Sequence, residues 1–258
     1  MDYGVNLMSH HIVIVQDLKY AYPDGTEALH GISFRLAHGE SLAIVGENGA
    51  GKSTLLLHLN GYLTPNQGSI QIGDYPMTKK TLKFIRRSVG MVFQDPDDQL
   101  FMPTVYDDVA FGPMNLGLVP EDVDARVMQA LNTVDTSHLK NRPPYKLSGG
   151  EKRSVAIASV LSMSPDILVM DEPTSNLDPK ARRKLIELLK SFEHTKIIAT
   201  HDLDMVLDVC DRTLVIHEGQ VTADGPTMEV FQDVALLEQS HLEQPLRIQG
   251  CPVCCSAA

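Results

Sequence analysis

Apolar and polar positions change their spacing several times along the chain, and each spacing predicts a different element. Residues 12–36 alternate apolar and polar side chains on both sides of a Pro-Asp-Gly turn, which predicts antiparallel strands. Residues 41–46, 166–172 and 196–200 form short, mainly apolar runs. Runs of this kind are typical of strands that are buried on both faces of a sheet.

Helical patterns separate these strands. Apolar positions from residue 105 to about residue 161 have helical spacing, and a further helix is predicted to begin at Pro179. Strands that alternate with helices favour a mostly parallel sheet. The sequence therefore predicts such a sheet with a helical insertion at about 95–164 and an antiparallel edge, where the chain closes in a hairpin around Glu218 and Gly219.

The glycine-rich segment GENGAGKS at 46–53 stands after one predicted strand and before a helical pattern. Its glycines let backbone N–H groups wrap around phosphate, and the helix N-terminus adds positive potential. Lys52 is expected to reach the outer phosphates, and the Ser53 hydroxyl is placed for Mg²⁺. The sequence thus predicts an ATP site made of Gly46, Glu47, Asn48, Gly49, Ala50, Gly51, Lys52, Ser53 and Thr54.

Two acidic residues end a second buried strand, ILVMDE at 167–172. A carboxylate in the position of Asp171 lies beside the phosphate loop and can hold Mg²⁺ directly or through water. Glu172, the next residue, is the natural general base for an attacking water molecule. We interpret the pair as the magnesium ligand and the base of a nucleotide hydrolase.

A second anion site is predicted at LSGGE, which precedes the helical run from 152 onward. Ser148 is placed to cap that helix, and the two glycines expose N–H groups at its positive end. One chain therefore carries two phosphate sites. The segment consists of Leu147, Ser148, Gly149, Gly150 and Glu151.

From about residue 12 to 225 the chain resembles the ATP-binding-cassette (ABC) ATPases. The motifs that carry the resemblance occur in the family's order: GENGAGKS, Gln94, LSGGE, ILVMDE, SNLD at 175–178 and His201. The resemblance implies an α/β fold, a RecA-like P-loop NTPase core with an antiparallel β subdomain and a helical insertion. We expect the core at 10–94 and 165–226, the helical signature subdomain at 95–164, and a C-terminal extension at 227–258.

The same resemblance implies that two such domains sandwich two ATP molecules, each between the P-loop of one subunit and the LSGGE helix of the other. It assigns a contact with Mg²⁺ or the attacking water to Gln94, and a contact with the γ-phosphate to His201. Asp178 is expected at the dimer contact. Tyr22 is expected to stack on adenine, with Tyr20 as the competing choice.

The polar turn QDPDDQLF at 94–101 looks specifically like its counterpart in energy-coupling-factor importers. There the loop faces a transmembrane scaffold protein, which works with a substrate-binding membrane subunit. Leu100, Phe101 and Met102 would then be apolar anchors for a helix of that partner. The alternative is that these three residues belong to the core of the helical insertion.

Within that branch the chain looks most like cobalt or nickel transporter ATPases, with a vitamin importer as the alternative. Because this subunit would not touch the cargo, its residues leave the transported solute open, and they also leave open whether the partner cassette is identical. Two other classes fit less well. A soluble ABC ATPase acting on nucleic acid or ribosomes would be expected to carry two cassettes, a coiled coil or basic surfaces, and a small-molecule kinase has no use for LSGGE or SNLD.

Charge and hydropathy limit the expected partners and the expected location of the protein. The formal net charge is −11 and the 22 Lys and Arg residues are scattered, whereas binding to a nucleic-acid backbone needs a basic face. No apolar run reaches the roughly 18 residues that span a bilayer, and the N-terminus lacks a signal pattern. We expect a peripheral protein on the cytoplasmic face of the cell membrane. Cys251, Cys254 and Cys255 form a tail that either binds metal or is frayed and reduced, and Cys210 reads as a core residue.

Overall fold

A computed structural model describes residues 11–192 and 194–249. The three tail cysteines lie outside the described residues. Within the described residues, no helix is both long and apolar enough to cross a membrane.

An antiparallel sheet of four strands, in the order β2-β1-β4-β5, forms one side of the molecule. The alternating pattern at 12–36 is confirmed as its first two strands, which pair antiparallel over their length. The inward positions of this sheet, Val13, Val15 and Phe34 among them, are buried. The strands are β1 (His11–Ala21), β2 (Glu27–Ala37), β4 (Gln67–Ile72) and β5 (Tyr75–Pro76).

The second sheet has six strands in the order β10-β9-β3-β8-β7-β6. Neighbours from β9 to β6 run parallel, and only β10 is antiparallel, in the predicted hairpin. Every residue of the central strands β3, β7 and β8 is buried, as their apolar runs predict. The strands are β3 (Ser41–Val45), β6 (Val89–Val92), β7 (Ile167–Asp171), β8 (Thr195–Ala199), β9 (Arg212–His217) and β10 (Gln220–Pro226).

Several helices begin at side chains that satisfy their first N–H groups. Thr104 caps α3, Ser148 caps α5, and Asp178 caps α6, whose first residue is the predicted Pro179. The helices are α1 (Lys52–Leu59), α2 (Leu82–Ser88), α3 (Val105–Asn115), α4 (Pro120–Thr133), α5 (Gly149–Leu161), α6 (Pro179–Ser191), α7 (Leu203–Val209), α8 (Thr227–Gln232) and α9 (Val234–Gln239).

The helical insertion packs on the parallel sheet through its own apolar faces. Buried side chains of α3, α4 and α5, such as Val109, Val127 and Ile157, form one core cluster with Val92, Met170 and Ile198 of the strands. A second cluster joins the antiparallel sheet to α1 and to the other face of the parallel sheet. The phosphate loop follows the end of β3, and its Ala50 side chain packs in this second cluster.

Candidate nucleotide site

The phosphate loop connects β3 to α1 and is fitted closely against its neighbours. A Cβ atom on Gly46 would overlap the main-chain carbonyl of Ile216 at the end of β9. Gly51 has φ 102°, and a Cβ there would approach the carbonyl oxygen of Ala28 to 2.6 Å. A larger residue would therefore displace the loop at either position, which explains the glycines.

Lys52 is buried at the start of α1. Its Nζ atom donates to the carbonyl oxygens of Gly46 at 2.7 Å and Glu47 at 3.0 Å. Burial lowers the pKa of the Lys52 ammonium, and the nearby carboxylates of Glu172 and Asp171 act in the opposite direction. The ammonium is thus held over the loop, where a bound phosphate would supply a counter-charge.

Asp171 ends β7 beside the loop and is buried. Burial raises the pKa of its carboxyl group above the ordinary value, while a hydrogen bond from the Ser53 side chain lowers it in part. Among the described residues its Oδ1 atom has no hydrogen-bond partner. A buried, unpaired carboxylate oxygen next to a hydroxyl suits Mg²⁺, which prefers such hard oxygen ligands. The residues present therefore fit Mg²⁺, which Asp171 and Ser53 would hold.

Glu172 has an unusual backbone and a fixed side chain. Its φ is 44°, in the left-handed region, and strain of this kind is concentrated at functional sites. Its Oε2 atom accepts from the Thr200 hydroxyl at 3.1 Å and lies 2.8 Å from Nδ1 of His201. The carboxylate is therefore held by two residues that follow β8, and one of them is the histidine predicted to contact the γ-phosphate.

Lys52, Ser53, Glu172 and His201 line one cavity of about 410 Å³ over the loop. Asp171 lies in the wall of a neighbouring cavity, which shares Ser53 and Gln94 with the first. Tyr22 lies in its wall and its hydroxyl shares a hydrogen bond of 2.9 Å with Thr54, whereas Tyr20 packs edge-on against Tyr22 and His58 outside that wall. The geometry thus favours Tyr22 for the adenine contact, which remains a prediction. The lining residues are Tyr22, Thr26, Glu27, Ala28, Asn48, Gly49, Gly51, Lys52, Ser53, Thr54, Gln94, Glu172 and His201.

Arg153 is a buried residue of α5 that the sequence reasoning missed. Its guanidinium donates to the carbonyl oxygens of Phe93 at 2.7 Å and Gln94 at 2.5 Å. Burial lowers its pKa, and the charges of Asp95 and Asp171 partly restore it. Arg153 therefore fixes the turn that presents Gln94 to the cavity and ties this turn to the LSGGE helix. Its place two residues after LSGGE was the available signal.

Replacement of this guanidinium has a specific expected result. In Arg153→Met the two loop carbonyls lose their donors, and we expect the free energy of unfolding to fall by about 1–3 kcal/mol. We also expect kcat for ATP to fall while KM changes little, because the loop contacts of Lys52 are untouched. Denaturation and steady-state ATP hydrolysis measure both effects.

The neighbouring lysine is the matched control. Lys152 pairs with the exposed Asp97, and surface pairs contribute roughly 0–1 kcal/mol. Lys152→Met should therefore leave kcat close to that of the unaltered chain. Equal kcat values for both variants would contradict the positioning role of Arg153.

The LSGGE segment stands apart from this cavity, since residues 147–151 are not among its lining side chains. Ser148 and Gly149 are exposed at the N-terminus of α5. The Ser148 backbone N–H and hydroxyl both donate to Glu151 Oε2 at 2.8 Å, and these two bonds lower the pKa of Glu151. A Cβ on Gly149 would meet no atom within 4 Å. This helix end is thus formed and open to another molecule.

The SNLD turn leads into α6, and α6 is paired with the loop of His201. Asp178 is exposed, and its Oδ1 accepts from the N–H groups of Lys180 and Ala181. Arg182, one turn further, makes a bidentate pair with Asp202 at 2.6 and 2.7 Å. Burial alone would raise the pKa of Asp202, but the bonds from Arg182 and from the Met205 N–H bring it below its ordinary value. The predicted dimer contact and the histidine loop are therefore one connected unit.

The predicted anchors of the 94–101 turn separate in the structure. Leu100 is only 7% exposed and belongs to the core of the insertion, so its assignment as a surface anchor was wrong. Phe101 is 64% exposed and Met102 is half-buried. Asp108, whose pKa burial raises, accepts from the N–H groups of Phe101 and Met102 at 3.0 Å. The chain thus turns inward at one residue and outward at the next.

Comparison with known proteins gives one family. The ABC transporter family model matches residues 29–175. An ABC transporter ATP-binding protein of Geobacter sulfurreducens is 67% identical over 247 residues, which cover 96% of this chain and 99% of that protein. The energy-coupling factor transporter ATP-binding protein EcfA of Methanocaldococcus jannaschii is 47% identical, with 91% of this chain and 86% of that protein covered.

Solved structures give the same result. Clostridium perfringens cbiO1, described as part of the ABC transporter complex cbiONQ, is 43% identical with a TM-score of 0.79, covering 90% of this chain and 94% of that one. A dimeric ATP-binding cassette in a post-hydrolysis state with ADP and phosphate is 27% identical with a TM-score of 0.75, covering 83% and 98%. The predicted fold class is confirmed, and the chain belongs to the ABC transporter ATP-binding family, is an ATPase, and counts energy-coupling-factor ATP-binding proteins among its relatives.

Proposed function

We propose that two copies of this ATPase, or this chain and a close paralogue, close around two ATP molecules and drive an energy-coupling-factor importer for a transition-metal ion, cobalt or nickel. One observation supports the proposed pairing with a partner cassette. The chain presents a P-loop cavity and, outside it, a formed and exposed LSGGE helix end with no side chain over Gly149. A second subunit can supply each cavity with the helix end that its own chain does not bring there.

The groups around the cavity divide the reaction among them. Lys52 and the loop N–H groups hold the phosphates, and Tyr22 is in place for the base. Mg²⁺ bound with ATP would neutralise negative charge on the phosphates. Asp171 and Ser53 would hold the ion, with Gln94 alongside. Glu172 accepts the proton of the attacking water while the water oxygen bonds to the γ-phosphorus and the bond to the bridging oxygen breaks, which releases ADP and phosphate. His201, in contact with the Glu172 carboxylate, contacts the γ-phosphate. The partner's helix end adds positive potential to the charge that develops during transfer.

Coupling to a membrane protein is supported by an exposed apolar patch beside the Gln94 turn. The patch comprises Phe101, Phe111 and Met114, of which Phe101 and Met114 are each 64% exposed. The two phenylalanine rings meet edge to face at 5.1 Å. Since Arg153 ties the Gln94 turn to α5, movement of a helix docked on this patch can be passed to the LSGGE segment and to the site.

The cargo rests on sequence likeness. The stretches LHGISF and MPTVYDDVAFGPMNLGL and the GCP of the tail resemble cobalt and nickel transporter ATPases. The cbiO1 structure, which belongs to a complex named cbiONQ, points in the same direction. Purified complex in vesicles, given ATP inside with labelled Co²⁺, Ni²⁺ or a vitamin outside, tests the assignment. Uptake of the vitamin alone would reject the metal cargo and leave the ATPase role standing.

The docking role of the patch gives a separate expected result. Phe101→Asp places a charge where a partner helix would bury an apolar ring, so we expect co-purification with the scaffold protein to fall at least about tenfold. Isolated ATP binding should be unchanged. Met228→Asp, an equally direct change at an exposed apolar side chain of α8, is the control and should keep the complex intact. Full recovery of the complex with Phe101→Asp would place the docking surface elsewhere.

A further inference from the structure

Three side chains from distant segments converge next to the phosphate loop. Glu47 is the second residue of the loop motif, His217 ends β9, and His241 follows α9. Nδ1 of His217 lies 3.2 Å from Oε1 of Glu47, and Nδ1 of His241 lies 2.9 Å from Oε2. One ligand atom from each residue falls within 4.8 Å of the others. The reaction described above uses none of the three side chains.

The nitrogen of His217 is the informative atom. It is buried, faces a carboxylate oxygen, and makes no hydrogen bond within the described part of the chain. The atom lies 3.2 Å from Oε1 of Glu47 without hydrogen-bond geometry, so a proton on this nitrogen would be misaligned with the oxygen. A cation bound by both atoms satisfies them without that alignment. Two imidazole nitrogens and one carboxylate are a ligand set for Zn²⁺, Co²⁺, Ni²⁺ or Cu²⁺, not for Mg²⁺.

The spacing suits such an ion. In a tetrahedral site with bonds of 2.0–2.1 Å, neighbouring ligand atoms are roughly 3.3 Å apart. His217 Nδ1 lies 3.2 Å from Oε1 of Glu47, and His241 Nδ1 lies 2.9 Å from the other oxygen, Oε2, so each nitrogen is near that spacing from one oxygen of the same carboxylate. His241 is 65% exposed, so a fourth position is open to water. A set of two histidines, one glutamate and water is a known arrangement for zinc.

The segments that carry the ligands are already fixed. The loop fits so closely on β9 that Gly46 must lack a side chain, and the Gly219 N–H donates to the Ala50 carbonyl at 3.1 Å. The segment of His241 is anchored by the buried side chains of Leu237 and Ser240. Binding would therefore order few groups, which favours affinity.

We propose that Glu47, His217 and His241 form a binding site for one divalent transition-metal ion, separate from the magnesium position. The ion joins the C-terminal segment after α9 to the phosphate loop. The main-chain carbonyl of Glu47 already accepts from Lys52, so occupancy of the site stiffens the part of the loop that holds this lysine. The site does not depend on the cargo of the importer.

Zinc titration of the full chain by calorimetry, without nucleotide or magnesium, tests the proposal. The tail thiols must first be removed, because thiolates bind the same ions; the background is therefore Cys251→Ser, Cys254→Ser and Cys255→Ser. We expect one Zn²⁺ per chain. Adding His217→Gln or His241→Gln should weaken zinc binding at least about tenfold. Loss of a group that only supports a metal ligand already lowers metal affinity by about that much, and loss of the ligand itself should lower it by no less.

His38→Gln, a change at an exposed histidine elsewhere, is the control and should leave the affinity unchanged. Co²⁺ provides a second readout: the chain without its tail thiols should give the intense visible bands of a tetrahedral ion, and His241→Gln, on an exposed loop, should abolish them without lowering Tm. Failure of the chain without its tail thiols to bind zinc overturns the proposal. So does an affinity that the His217 and His241 variants do not change.

Discussion

Glu172→Gln is expected to lower ATP turnover by about 10²–10⁴-fold while ATP binding persists. Glutamine has the same shape and keeps an oxygen that can accept from Thr200, so the strained backbone at φ 44° and the buried contacts should survive. What is lost is the negative charge that takes the proton of the attacking water. ATP should then hold two subunits together, because the step that releases them does not occur.

Steady-state hydrolysis and light scattering with ATP measure these two consequences. Glu121→Gln, an exposed glutamate in the first turn of α4, is the matched control and should hydrolyse ATP normally and dissociate. If Glu172→Gln turned over ATP at the rate of the unaltered chain, Glu172 would not be the base. If turnover fell but the subunits stayed apart, the proposed closure would be wrong while the base assignment stood.

Gly149→Asp is expected to lower hydrolysis by at least about 100-fold, the usual effect of losing a preorganised group that stabilises transferred charge. Within one subunit the change is mild, because a Cβ at this position would meet no atom within 4 Å. In the closed pair, however, the carboxylate would stand against the partner's triphosphate. We therefore expect unchanged folding and unchanged ATP affinity of the single subunit, together with loss of ATP-dependent dimerisation.

Gly225→Asp separates this effect from a general intolerance of aspartate at glycine. Gly225 also has room for a Cβ, whose nearest neighbour would be Val230 at 3.6 Å, and it lies on β10 away from the helix end. Its variant should hydrolyse ATP and dimerise normally. Normal hydrolysis by Gly149→Asp would show that the helix end plays no part in the reaction.

The sequence predicts the parallel sheet and the loop motifs well for identifiable reasons. Uniformly apolar runs mark strands such as β3 and β7, and each motif is contiguous, so its position follows from the element beside it. Short helices such as α2 and α7 escaped because they span only seven residues each and offer too few turns for periodicity. Leu100 was misassigned because the residue type of an apolar side chain in a polar turn does not show whether that side chain is buried or exposed.

Contacts between distant segments were the hardest to foresee. Arg153 reaches Gln94 across 59 residues, and the Glu47 and His241 side chains meet across 194. In each pair, the local sequence around one residue does not indicate where its partner lies in the chain. Such groupings arise only when the strand order places the ends of different strands side by side.

The capping box at Ser148 has a consequence for how firmly two subunits hold together. In the single subunit the N-terminus of α5 is not bare, because the chain's own Glu151 carboxylate already occupies it as a resident anion. A partner's triphosphate then approaches an open helix end beside a negative group that is already there, so repulsion from the Glu151 carboxylate subtracts from the attraction of the helix dipole. The weaker net attraction keeps the grip shallow, so the pair can part again once the phosphate has left.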